Sequence, residues 1–172
     1  MYQRTIMTLA LLAASTLAFQ GPVQAANSKF IAAAVDDAAR PAEDKARDAS
    51  RKPAELLAFA GVKPGSHVVE LVPAGGYFTR ILSKAVGKRG KLYAIVPAPR
   101  PDAPAGAPDR SAPVRALAAD AANYGNISVL VQPVKQLELP AKAVLVWTSL
   151  NYHDIHNMPE IDLLAFNKSI FN

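Results

Sequence analysis

The chain has 172 residues, 51% of them hydrophobic and 19% charged, with no cysteine and a formal charge of +5. That length suits one domain, and the apolar share excludes collagen-like and strongly disordered chains. Without cysteine there is no disulfide framework and no thiolate metal site, and a modest basic balance does not by itself make a nucleic-acid binder.

Residues 1–25 read as a secretory signal peptide. Arg4 gives the positive start, Ile6 to Phe19 the apolar run, Gln20 and Pro22 the break, and Val23-Gln24-Ala25 a small-residue cleavage site. The run is shorter than the ~20 residues a spanning helix needs. The expectation is an exported, periplasmic protein with no stable membrane insertion once the leader is removed. Residues 26–51 then form a lead-in rich in Ala, Asp and Arg. Its stretch from Ala42 to Asp48 mixes both charge signs at helical spacing and predicts a solvated helix.

From Pro53 onward, strands and helices alternate. A helix starts at Pro53, shows Leu56, Leu57 and Phe59 as its apolar face, and stops at Gly61. His67 to Val72 is a β-branched apolar run that suits a buried parallel strand. A glycine-bearing loop, Pro73 to Gly76, leads into a helix over Tyr77 to Val86, and Lys91 to Val96 is a second strand. Strand, helix and strand make a right-handed βαβ unit.

Pro97 to Pro113 carries six of the chain's 14 prolines and reads as a flap. Ser111 is expected to cap a helix running to Tyr124. Ile127 to Val131 and Ala143 to Thr148 are the third and fourth strands, and Ile161 to Phe171 a closing amphipathic helix, with Trp147 and Phe166 in the core. The rhythm predicts an α/β fold with a parallel sheet. The basic run Arg80, Lys84, Lys88, Arg89 and Lys91 reads as a solvated helix face.

The stretch from Val68 to Arg80 is the most informative. Glycine in a loop between strand and helix lets the backbone approach a ligand, because there is no Cβ. The helix N-terminus then offers free N–H groups and a partial positive charge. Glu70, at the strand end, can order the loop by accepting its N–H bonds. These residues resemble motif I of the class I S-adenosylmethionine-dependent methyltransferases, and in particular a bacterial exported group of them. The resemblance runs on through Thr79-Arg80-Ile81-Leu82-Ser83 and Gly90-Lys91-Leu92-Tyr93-Ala94, and covers roughly residues 40–172.

The resemblance implies a Rossmann-like sheet with strand order 3-2-1-4 visible and S-adenosylmethionine as cofactor. Glu70, Ala74, Gly75, Gly76 and Tyr77 would hold it, with Gln132 at the adenine edge. The family pattern of an acid followed by three alternating glycines reads here Glu70, Val72, Ala74 and Gly76, and the end of strand two, Val96-Pro97-Ala98, has no acid for the ribose. A plain βα turn that holds no ligand stays open as an alternative.

Asn151-Tyr152-His153-Asp154-Ile155-His156-Asn157 follows strand four, which in this sheet order neighbours strand one and faces the same pocket. His153 is a candidate general base, Asp154 an orienting partner, and Asn151 a hydrogen-bond donor to a small-molecule methyl acceptor. The alternatives are that these groups only cap a following helix, or that His153, Asp154 and His156 bind metal, for which His-x-x-His alone is not specific. The expectation is no metal and no nucleic-acid partner.

Residues 52–172 show only four strands, where the family's sheet usually has seven, so a C-terminally truncated domain is expected. The competing function is an exported, non-catalytic Rossmann-like module that binds a ligand or a protein.

Overall fold

The computed structural model describes residues 22–140 and 143–171, with side chains from Lys29. Residues 1–21 of the expected signal peptide lie outside the described residues, and its last four begin the first helix.

The lead-in is not a solvated helix. It consists of α1 (Pro22–Val35) and two single-turn helices, α2 (Ala42–Lys45) and α3 (Asp48–Arg51). Ile31 and Ala34 are buried with Leu57, Ile81 and Leu82, so α1 belongs to the main core. Asp44 and Arg40 are buried as well. Charges at helical spacing were read as solvated because their partners lie far along the chain: Arg80 meets Asp44 at 3.0 Å and Lys84 meets Asp37 at 3.0 Å. The same pairs correct the reading of the basic run. Arg80 and Lys84 dock the lead-in onto the helix after the glycine loop and are largely covered by it.

Lys52 takes a left-handed turn, and α4 (Pro53–Phe59) follows with proline in its first turn. The βαβ unit forms as expected, as β1 (His67–Leu71), α5 (Tyr77–Val86) and β2 (Lys91–Pro97). Asn126 closes α5 by donating from Nδ2 to the carbonyls of Ser83 at 2.8 Å and Gly87 at 2.9 Å, satisfying groups the helix leaves free. Gly90 sits in a tight approach: a Cβ there would lie 2.6 Å from the Val86 oxygen and 2.7 Å from the Ser66 oxygen. Backbone cannot give way cheaply, so Gly90→Ala is expected to destabilise by about 2 kcal/mol; an unchanged urea midpoint would contradict this packing.

The single helix expected to end at Tyr124 divides into α6 (Ala112–Ala119) and α7 (Ala121–Tyr124), because Asp120 leaves helical geometry and caps α7 through the Asn123 N–H. Ser111 makes no side-chain cap. Its hydroxyl donates to Asp109 and accepts from Arg115. Then come β3 (Ile127–Gln132), the short β4 (Leu145–Trp147), α8 (Tyr152–His156) and α9 (Leu163–Phe171). The sheet is all parallel in the order β3-β2-β1-β4, as the sequence predicts.

Side chains alternate across β1. Val68 faces the α1, α4 and α5 layer, while Val69 and Leu71 face Ile155 and Phe166 on the other side. Phe166 is therefore core. Trp147 is half-buried, with its ring 4.8 Å from that of Phe78. Among the described residues no helix is long and apolar enough to cross a membrane.

Candidate functional site

The site lies at the carboxyl end of β1, where an open α/β sheet places its ligands. A cavity of about 160 Å³ is walled there by the β1–α5 loop, the lead-in and the segment after β4. Glu70, Ala74, Gly75, Tyr77 and Asn151 line it together with Arg47 and Arg51.

The loop backbone carries the most specific feature. Val72, Ala74 and Gly76, the three positions where the family pattern has glycine, all have positive φ: 55°, 49° and 84°. Two of them bear a side chain in a conformation that costs roughly 1–2 kcal/mol for an L-residue, and a β-branched residue there is an outlier. A side chain at Gly76 would be strained by the same left-handed φ, and its Cβ would sit 2.6 Å from the Leu117 Cδ1, so the leucine side chain would have to shift. Ala74 is exposed, so Ala74→Gly removes strain without removing packing and is expected to stabilise by about 0.5–1 kcal/mol. Thermal melts of the two proteins test this, and a lower melting temperature for the glycine variant would sink it.

Glu70 is buried beside this loop and accepts a hydrogen bond from the Thr79 hydroxyl at 2.6 Å. It therefore fastens β1 to the first turn of α5 and does not accept the loop N–H bonds the sequence suggested. Burial pushes its carboxyl up to about 7, against the opposing pull of Thr79.

On the lead-in side, the Tyr77 hydroxyl donates to Asp48 at 2.6 Å. Burial, followed by that bond, raises the phenol to about 12. Asp48 is gripped by both terminal nitrogens of Arg40, at 2.7 and 2.8 Å. That bond, opposed by desolvation and helped by Tyr77, holds Asp48 below the usual carboxylate range. The guanidiniums of Arg40, Arg47 and Arg51 lie 5.4, 5.0 and 4.8 Å from the Tyr77 ring centre.

Opposite the loop, Leu150 is left-handed at φ 62°, and Asn151 Nδ2 donates to the Val72 carbonyl at 3.0 Å. Asn151 thus ties the segment after β4 to the strained loop.

Gly76 closes the same loop without lining the cavity, and three further sequence-predicted residues lie elsewhere. His153 and Asp154 are on α8, an element the sequence did not suggest. They pair with each other at 3.2 Å, with their side chains 68% and 66% exposed. Gln132 exchanges two hydrogen bonds with the Glu138 backbone, at 3.0 and 3.1 Å, which closes the turn after β3. None of the three lines the cavity. Among the described residues no group of three His, Asp or Glu side chains gathers as a metal site. Sequence reasoning missed Arg47 and Arg51, whose spacing of four, on one face, was the available signal.

No protein-family model matches the chain, and no curated protein does. Solved structures do. The chain is similar to a SAM-dependent methyltransferase from Aquifex aeolicus, at 21% identity and a TM-score of 0.56, over 78% of this chain and 62% of that one. It is also similar to an arsenic(III) S-adenosylmethionine methyltransferase from Chlamydomonas reinhardtii, at 16% identity and a TM-score of 0.51, over 83% of this chain and 44% of that one. The chain therefore matches less than two thirds of the length of either structure. What it shares with them is the fold: a Rossmann-like parallel sheet of the methyltransferase type.

Proposed function

We propose that the chain is the cofactor-binding part of an exported S-adenosylmethionine-dependent methyltransferase that modifies a small-molecule acceptor and not a nucleic acid. The observation that carries this reading is the loop backbone. Val72 and Ala74 keep the left-handed conformation of the glycines they replace, and such strain persists mainly where surrounding structure and function require it.

The residues fit the cofactor in kind. The loop backbone and the start of α5, which has no side-chain cap, offer N–H groups. Asn151 and the guanidiniums offer donors, and the Phe78 ring gives an apolar wall. When bound, S-adenosylmethionine would supply an electrophilic methyl group on its sulfonium. The chain's own contribution is positioning. Glu70 and Thr79 hold α5 against β1, Asn151 fixes the loop, and the Phe78 ring is backed by Trp147. Asn151, and not His153 or Asp154, is the polar side chain on the acceptor side.

Isothermal titration of the full chain with S-adenosylmethionine tests the reading. No heat at millimolar ligand overturns it.

A second reading, an exported module without catalysis, is favoured by two observations. The cavity of about 160 Å³ is smaller than the ~300–1,000 Å³ of ordinary ligand pockets, and β2 ends at Val96 and Pro97 with no acid. Capture of a periplasmic protein by a chain that gives no titration heat supports this module reading.

Export is part of both readings. Their support is the residue pattern of 1–25, and their check is N-terminal sequencing of the periplasmic form, expected to begin at Ala26. Continuation of the sheet beyond β4 belongs to the first reading. Its support is the unpaired side of β4 among the described residues and the exposed Val144 and Leu150 beside it.

A further inference from the structure

The lead-in places more positive charge on the cavity wall than its own carboxylates neutralise. Around Tyr77 and the glycine loop stand four guanidiniums, Arg40, Arg47, Arg51 and Arg80, and two carboxylates, Asp44 and Asp48. Asp48 is taken by Arg40 and the Tyr77 hydroxyl, and Asp44 is shared by Arg47 and Arg80. Arg51 has no carboxylate partner among the described residues. It lines the cavity, oriented by the face of the Tyr77 ring at 4.8 Å.

Stacking on a ring orients a guanidinium without neutralising it or occupying its five donors. Glu70 also borders the cavity, but it is buried, bonded to Thr79 and forms no ion pair with any of these arginines. An oriented, unpaired guanidinium beside a second one, next to an uncapped helix start, is a fork that matches carboxylate or phosphate oxygens.

We infer that Arg51, assisted by Arg47, is an anion subsite of the cavity that holds a carboxylate or phosphate group of the bound ligand. The inference rests on the methyltransferase reading only for which molecule brings the anion. The anion is either the amino-acid carboxylate of the cofactor or an acidic group of the acceptor.

The test uses the full chain and the Arg51→Gln variant, titrated with S-adenosylhomocysteine, with 5′-methylthioadenosine, which lacks the amino-acid end, and with pyrophosphate. A loss of tenfold or more for S-adenosylhomocysteine, with methylthioadenosine unchanged, assigns the anion to the cofactor. Unchanged binding of both nucleosides, with pyrophosphate binding lost, assigns it to the acceptor. If the parent binds neither nucleoside but binds pyrophosphate through Arg51, the subsite stands and the methyltransferase reading falls. If Arg51→Gln alters none of the three, the subsite is overturned. Lys88→Gln removes the same charge in the turn between α5 and β2, at the opposite end of the strands from the cavity, and is expected to change nothing; an equal loss there would reduce the effect to net charge and overturn the subsite too.

Discussion

Arg40→Ala is expected to destabilise the protein by about 3–5 kcal/mol, the range for removing one partner of a buried ion pair. The Arg40 side chain is fully buried, and its fork holds both oxygens of Asp48. It also donates to the Val35 carbonyl, at the end of α1. Removing it leaves Asp48, a partly buried charge, with only the Tyr77 hydroxyl and frees the end of α1 at the same time. Asp48 in turn holds the Tyr77 hydroxyl, so the loss spreads from the lead-in into the cavity wall. Arg40→Lys should recover only part of the stability, because an ammonium cannot match two oxygens in a plane. Urea unfolding followed by circular dichroism at pH 7 measures both variants. A loss below 1 kcal/mol for Arg40→Ala would falsify the role assigned to this pair.

The second large effect depends on pH. The Glu70 carboxyl is raised in the folded protein to about 7 from an ordinary value near 4.5. The folded state therefore binds this proton more tightly than the unfolded chain does. Its contribution is fully present below about pH 4.5, falls as pH rises, and is lost above about 7. At 1.36 kcal/mol per unit, the span amounts to roughly 3 kcal/mol. Glutamine cannot ionise and can still accept from Thr79. Glu70→Gln is thus expected to match its parent near pH 4 and to exceed it by up to about 3 kcal/mol at pH 8. The difference between the two proteins is the measurement, since Asp48 and Asp37, both lowered, pull the absolute stability of each the opposite way as pH falls. A difference that does not vary between pH 4 and 8 would show that Glu70 titrates normally.

How much of this was legible differs by region. The β1–α5–β2 unit was readable because its signals are local: β-branched runs for strands, one apolar helix face, glycines where the chain turns. The loop and Asn151 were found as site residues for the same reason, standing at strand ends that the sheet order brings together. The lead-in was misread because Asp44 and Asp37 look solvated until Arg80 and Lys84, on α5, are in place. Local pattern carries no information about a partner that distant. His153 and Asp154 were expected in the pocket, but Leu150 turns left-handed just before them. The helix that follows packs Ile155 against β1 and leaves His153 and Asp154 exposed, an orientation that leaves no mark in composition or spacing. Val72 and Ala74 read as departures from a glycine pattern, and their positive φ leaves no mark in residue identity.

The all-parallel pairing of β1 bears on how this chain reaches its fold. The strand lies inside the sheet, yet both its neighbours, β2 and β4, come later in sequence, as does α5, on which α1 packs. Nothing made early can complete itself with what precedes it. Non-local parallel contacts of this kind form slowly, since loop closure must precede the contacts that reward it. A nascent chain built this way stays open until most of it has been synthesised.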